Sequence, residues 1–208
     1  MLILVRHGES VANAQGLLLG RIDAPLTEVG RAQAATVRTL LRGPVAELRC
    51  SPLVRARDTA TALHLDVELQ IDERWVEVDY GEFDGQPLRD IPAAVWQEWR
   101  RDPGYRPPGG ETLSEVDRRV AGACDQLFAQ PDAGARRRDG DVVVVSHVTP
   151  IKAAVAWALG LDAGLSWRLH LNTASVTRIE WGNNAEPVLH GFNEMAPAGA
   201  GTPQSRRA

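Results

Sequence analysis

The chain has 208 residues, 44% of them hydrophobic and 24% charged, with a formal net charge of -4 at pH 7. This is the composition of a globular protein large enough to bury a substantial core, and the acidic balance argues against a broad basic surface that tracks nucleic acid, leaving room only for a concentrated cationic pocket. No stretch approaches the roughly 20 apolar residues of a membrane span, the N-terminal apolar run stops at Arg6, and Cys50 and Cys124 form no CxxC pair, so a cytoplasmic protein with two buried core cysteines is expected.

Residues 2–5 read as a short buried strand that ends abruptly in Arg6, His7 and Gly8. After Thr27, a suitable N-cap, the residues Val29, Ala32, Val37, Leu40 and Leu41 recur at helical spacing. Residues 45–50 are strand-like, and Ser51-Pro52 offers a cap followed by proline at the first helical position, predicting a helix to about Leu63. Residues 66–76 alternate apolar and polar, as an extended segment does. Residues 81–110 hold five of the thirteen prolines together with Phe83, Trp96, Trp99 and Tyr105, which predicts a loop plus a short helix lying over something.

Thr112 and Glu115 form a capping-box pattern, and Leu113, Val116, Val120, Cys124 and Leu127 continue it as an amphipathic helix. The run at 134–141, with Arg136, Arg137 and Arg138, reads as a solvated loop. Four consecutive valines, 142–145, predict a strand buried on both faces, and Thr149-Pro150 repeats the cap-plus-proline helix start. Two final strands are expected near 174–181 and 187–192. Residues 1–193 then make one domain, and 194–208, rich in Ala, Gly, Pro and Arg, a disordered tail.

Strands alternating with helices predict an α/β fold, a three-layer α/β/α sandwich on a mostly parallel mixed sheet with helices on both faces. In such sheets the functional site forms beyond the carboxyl ends of the strands. Three strand ends carry polar or basic residues there: Arg6 with His7, Ser51 with Arg55 one turn into its helix, and Ser146 with His147. A lone strand-end histidine is more often structural, and a lone arginine more often makes a surface ion pair; the coincidence at one edge is what carries weight. Two guanidinium groups can hold a phosphoryl dianion through paired N–H donors, and an imidazole beside it can attack phosphorus to give a covalent phosphohistidine. Gly8 would let the backbone approach the anion closely. His64 and His190 have no such company, and His170 belongs to a strand or its edge. No HxxxH or other close ligand pair occurs, so no catalytic metal and no cofactor are expected.

The segments LVRHGES, SPLVRARDTA, VEVDYGEFDG and VVVSHVTP together resemble the histidine phosphatase superfamily, the phosphoglycerate mutase-like family, from Leu2 to about Ile179. The resemblance implies that His7 is the nucleophile, that Arg6, Arg55 and His147 bind the phosphoryl group, that Asn13 donates to it as well, and that Glu77 protonates the leaving oxygen and then activates water. The residues themselves do not single out Glu77 among its neighbours Glu73, Asp79 and Glu82.

The family holds both mutases and phosphatases. Its mutases resemble one another in placing an arginine just after the acid and polar residues between Asn13 and Gly20, whereas this chain has Val78 and Leu17, Leu18 and Leu19 at those places, as expected of a pocket mouth for an apolar or bulky leaving group. The stretch PPGGETLSEVDRR is similar to the shorter phosphatase form. Val148 stands where the family's SHG has glycine, a feature shared with acid phosphatases of the α-ribazole branch. A phosphatase acting on a small phosphorylated substrate is therefore the first expectation, with a possible homodimer and no nucleic-acid or membrane partner. Phosphoglycerate mutase and a catalytically idle phosphate- or phosphoprotein-binding module are the rivals. Trp96 and Trp99 could contact a sugar-like or apolar group, but at that spacing a core role competes.

Overall fold

The computed structural model describes residues 1–129, 139–181 and 186–197. Short runs rich in Val, Ile and Leu form the strands β1 (Leu2–Arg6), β2 (Val45–Cys50), β3 (Leu69–Ile71), β4 (Asp141–Ser146), β5 (Val176–Trp181) and β6 (Pro187–Glu194). The helices are α1 (Val11–Ala14), α2 (Glu28–Val37), α3 (Val54–Ala62), α4 (Ala93–Arg101), α5 (Leu113–Phe128) and α6 (Val148–Leu159). The strands make one sheet in the order β3-β2-β4-β1-β5-β6. The first four in that order are mutually parallel, and β5 and β6 add an antiparallel hairpin-like edge.

The two central strands carry unbroken apolar runs, Leu2 to Val5 in β1 and Val142 to Val145 in β4, because both faces are covered. Leu2, Leu4, Val142 and Val144 pack on the face that meets Val116, Val120, Cys124 and Leu127 of α5 and Ile151 and Ala154 of α6. Ile3, Val5, Val143 and Val145 point to the other face, against Val37 of α2 and Ala56 and Ala60 of α3. The layers are those expected from the alternation of elements. Both cysteines lie buried, one in each core. No described helix is long and apolar enough to cross a membrane.

The parallel register sets the level of the site. Cys50 pairs with Val145, and Arg6 with Ser146, so β2, β4 and β1 finish side by side. The chain then leaves each strand through a residue with a hydrogen-bonding side chain.

The capping box of α5 forms as predicted: Thr112 Oγ1 accepts from Glu115 N, and the Glu115 carboxylate accepts from Thr112 N. Thr27 likewise caps α2, its Oγ1 accepting from Gly30 N at 2.9 Å. Four other local expectations are corrected. The buried face of α2 is Gly30, Ala34 and Val37, continued by Leu41, while Val29 is 49% exposed and Ala32 faces solvent. The cause is close packing, since a Cβ on Gly8 would lie 2.3 Å from the Gly30 carbonyl oxygen. α3 begins at Val54 and not at Pro52, with Leu53 at its N-cap, and the amide of Val54 is taken up by a distant carboxylate, Asp23 Oδ1, at 2.7 Å. α6 begins at Val148, two residues before the proline, because a distant carboxylate, that of Glu77, caps it. The extended segment at 66–76 shrinks to β3 and a 3-10 turn at Glu73–Trp75.

A satellite core forms where residues 81–110 fold over the sheet edge. Trp99 is 1% exposed and packs with Leu18, Ile91, Leu113 and Ala163, with Tyr80, Trp96 and Trp167 around it. Trp96 stacks on Trp99 at 5.7 Å between ring centroids, and Tyr80 meets Trp99 edge-on at 5.3 Å. Leu18 and Leu19 are therefore buried anchors of their loop, not an apolar pocket mouth; only Leu17 of the three is half-exposed. The last strand runs to Glu194, so the tail expected from 194 does not begin there; residues 198–208 and the arginines 136–138 lie outside the described residues.

Candidate active site

His7 follows β1 and is 3% exposed. Its Nδ1 lies 2.7 Å from the Gly8 carbonyl oxygen, which can only accept, so Nδ1 carries the proton and Nε2 the lone pair. The Gly8 amide donates to Thr59 Oγ1 at 3.1 Å, and that hydroxyl donates to the Arg55 carbonyl at 2.7 Å. Gly8 is small because α2 crowds it, and its N–H is spent within the protein. The expected role of Gly8, close backbone approach to an anion, is thus replaced by helix packing.

His147 follows β4, is fully buried, and lies 5.0 Å from His7 between ring centroids. Its Nε2 is 2.7 Å from Ser51 Oγ, and its Nδ1 has no partner among the described residues. Leu53 N donates to the same hydroxyl, which suits Ser51 to donate onward to Nε2. A neutral ring that accepts at Nε2 carries its proton on Nδ1, the tautomer we assign. Burial, then the Arg55 and Arg6 charges, holds the His7 imidazole well below its ordinary range; burial, then Arg55, does the same to His147. Both shifts favour the neutral ring.

Arg6 donates through Nη1 to the Leu171 carbonyl, and Arg55, 1% exposed, donates through Nη2 to Gly20 O at 2.7 Å and through Nη1 to Ile22 O at 3.1 Å. In both, Nε is buried and has no partner among the described residues. Desolvation lowers Arg6 to about 10 against the opposing pull of Glu77, so it keeps its charge at neutral pH. Arg55 is lowered for the same first reason, offset by Glu77, Asp23 and Asp84.

Glu77 is 4% exposed and sits at the N-terminus of α6. Its Oε2 accepts from Val148 N at 3.1 Å; its Oε1 accepts from Thr149 N at 3.2 Å and from Val78 N at 2.9 Å. A carboxylate here meets the free N–H groups and the positive end of the helix dipole. This contact distinguishes Glu77 from the other acids of its segment, and it gives Val148 a backbone task that no glycine is needed for.

Arg6, His7, Arg55, Glu77 and His147 are thus assembled beyond the carboxyl ends of β1, β2 and β4. Asn13 is held otherwise: its Oδ1 accepts from Ser10 N and Ser10 Oγ in the cap of α1, which leaves the Nδ2 end of the amide to donate. His170 is exposed and bonds Asn172, and His64 and His190 are exposed, so none joins the cluster. Among the described residues no group of three or more His, Cys, Asp or Glu side chains is placed to hold a metal ion.

Several participants are not evident from the sequence. Tyr80 is linked to Thr149 and raised by burial and by Glu77. Lys152 donates to the Ser166 carbonyl at 2.8 Å and is lowered by burial, with Glu77 opposing. Thr59 stands one turn after Arg55, the i,i+4 spacing that could have marked it.

The model of the histidine phosphatase superfamily (branch 1) matches residues 2–194. The bifunctional protein Rv2228c of Mycobacterium tuberculosis (strain ATCC 25618 / H37Rv) is 35% identical over 187 residues, 86% of this chain and 50% of its own, so the chain spans about half the length of that relative. The probable phosphoglycerate mutase GpmB of Yersinia pestis (strain Pestoides F) is 30% identical over 186 residues, covering 86% of this chain and 83% of the relative. Among solved structures, mycobacterial glucosyl-3-phosphoglycerate phosphatase Rv2419c in complex with VO3 superposes with a TM-score of 0.81 at 29% identity, covering 92% of this chain and 98% of that one.

Proposed function

Because the chain belongs to the histidine phosphatase superfamily, we propose that it hydrolyses a small phosphomonoester, with an imidazole rather than a metal-bound water as nucleophile. The observation that carries this reading is a set of three buried nitrogens without a partner among the described residues, Arg6 Nε, Arg55 Nε and His147 Nδ1, in the cluster around His7. Buried polar groups are ordinarily satisfied, and three cationic or N–H donors in one small space are matched by a tetrahedral dianion.

In the first step His7 Nε2 attacks phosphorus, the bond to the leaving oxygen breaks, and Glu77, which enters this step as the carboxylic acid, delivers its proton to that oxygen and becomes the carboxylate. The three donors take up the charge on the non-reacting oxygens. In the second step water attacks the phosphohistidine, Glu77 accepts the water's proton, and the N–P bond breaks to return neutral His7 and inorganic phosphate. Asn13, through Nδ2, is assigned a supporting contact to the phosphoryl group. Residues 1–193 are taken as the unit that performs this.

Hydrolysis of p-nitrophenyl phosphate by the purified protein, with loss of turnover in His7→Ala, tests the assignment. Phosphoglycerate mutase is kept as a second reading because of the GpmB relative. Conversion of 3-phosphoglycerate to 2-phosphoglycerate in the presence of a bisphosphoglycerate primer would favour it over hydrolysis. Val78 at the position after Glu77 removes a cation that a mutase would use for the carboxylate. The glucosyl-3-phosphoglycerate phosphatase structure supports a screen that begins with phosphorylated glycerate and sugar derivatives.

A further inference from the structure

The guanidinium of Arg55 is aimed by two carbonyls of one loop, those of Gly20 and Ile22. The amides of that same loop all turn to a single side chain. Gly20 N donates to Asp84 Oδ1 at 2.7 Å, and Arg21 N and Ile22 N donate to Asp84 Oδ2 at 2.7 and 2.9 Å. The Gly20–Arg21 peptide thus has a carboxylate on its N–H side and a guanidinium on its C=O side, and its neighbours are held by one of the two.

We propose that Asp84 is a positioning residue for Arg55, acting through the backbone of residues 20–22. This rests on the reading of Arg55 as a phosphoryl-binding group and deepens it.

The Gly20–Arg21 peptide donates to Asp84 through Arg21 N and accepts from Arg55 through Gly20 O, so Asp84 makes that carbonyl a better acceptor, since hydrogen bonds in series strengthen one another; the Ile22 carbonyl is placed by the adjoining Ile22 amide, which Asp84 also holds. The loop has little freedom to find another arrangement. Gly20 is wedged against the segment that carries Glu77: a Cβ there would meet Val78 O at 2.5 Å. Asp84 is itself held on a short ladder, with Gly85 N donating to Leu18 O at 2.7 Å and Leu18 N to Gln86 O at 2.8 Å. At the loop's far end Asp23 Oδ1 accepts from Val54 N at 2.7 Å, tying it to the start of Arg55's own helix. The negative charges of Asp84 and Asp23 also help the desolvated guanidinium stay protonated. Remove the carboxylate, and three adjacent N–H donors lose their acceptor; the peptides rotate and the guanidinium loses the two carbonyls that fix its plane.

The test is a double-mutant cycle on Asp84→Asn and Arg55→Lys, read by kcat/KM for p-nitrophenyl phosphate and by calorimetric affinity for inorganic phosphate. With Arg55 present, Asp84→Asn is expected to lower both by about tenfold or more, most of the turnover loss in kcat; in Arg55→Lys it should add less than about twofold. An equal loss in both backgrounds means a merely structural role and overturns the proposal, as does no loss in either. If Asp84→Asn does not fold, Asp84→Glu carries the same cycle, because it keeps the charge and displaces it by one methylene. A wild-type protein that neither binds phosphate nor turns over would instead count against the phosphatase reading, separately from Asp84.

Discussion

His7 and His147 lie 5.0 Å apart with their rings tilted by 59°, and each is clamped by one nitrogen only: Nδ1 of His7 on the Gly8 carbonyl, Nε2 of His147 on the Ser51 hydroxyl. The nitrogens left over are Nε2 of the first ring and Nδ1 of the second, a lone pair beside an N–H donor. That asymmetry divides the two histidines into attacker and binder.

Ser51→Ala should therefore impair His147 and spare His7. Without the hydroxyl, buried Nε2 is unsatisfied, at a cost of about 1–3 kcal/mol, and the tautomer that presents Nδ1–H loses its support. The expected outcome is a kcat reduced by about tenfold or more, with phosphate affinity falling in parallel. Steady-state kinetics and phosphate inhibition check it; an unchanged kcat would leave the tautomer argument without force.

Glu77→Gln should discriminate between substrates. An amide can keep only one of the two α6 contacts, because Val148 N and Thr149 N reach different carboxylate oxygens, and it has no acidic proton to give. Hydrolysis of alkyl phosphates should drop by about 10²–10⁴, while an aryl phosphate with a good leaving group loses much less. A plot of log kcat against leaving-group pKa should steepen in the variant, and parallel lines would count against the acid role.

Gly8→Ala should show that the glycine answers to α2. The added methyl would meet the Gly30 carbonyl at 2.3 Å, so strand end and helix must separate. A loss of about 1–3 kcal/mol is expected, with thermal unfolding several degrees lower and activity falling because His7 is the adjacent residue. Stability equal to wild type would contradict the packing account.

Asp117 offers a pH test away from the reacting groups. It is half-buried, and desolvation, then Asp162, pushes its carboxyl up to about 6. A carboxyl raised in the folded state contributes stability below its unfolded value of 3.8, and that contribution is lost as pH rises through about 6. Asp117→Asn cannot ionise. It should unfold about 3 °C higher than wild type at pH 7.5, discounted for the part of the carboxyl that faces solvent, and the gap should close toward pH 4. A gap independent of pH would rule out ionisation as its source.

The two imidazoles act in the opposite direction. Their folded values are depressed, so the stability they contribute is present above the ordinary histidine value of 6.5 and is lost as pH falls toward their folded values. In His147→Gln the melting temperature should fall less steeply between pH 7 and 5 than in wild type, as calorimetry would show.

Legibility in the sequence followed the range of the interactions. The valines of β4 and the capping box of α5 are local signals, one from burial on both faces and one from four adjacent residues, and both elements form where expected. The strand-end polar residues were readable for the same reason, because in a parallel sheet the ends line up. What was misread depends on contacts far along the chain. The start of α6 is set by Glu77, 71 residues before Val148, and at the start of α3 the amide of Val54 is taken up by Asp23, 31 residues before it. Glu77 looks like its acidic neighbours until the fold gives one of them a helix terminus. Leu18 reads as part of a pocket mouth because nothing nearby in sequence announces the satellite core around Trp99.

The central claim is that His7 Nε2 becomes phosphorylated. Protein quenched in alkali during turnover of a 32P-labelled phosphomonoester, then digested and sequenced by mass spectrometry, should carry an acid-labile, alkali-stable phosphoryl group on the peptide containing His7, absent from His7→Ala, which should not turn over. Label on another residue, or full turnover in that variant, would contradict it.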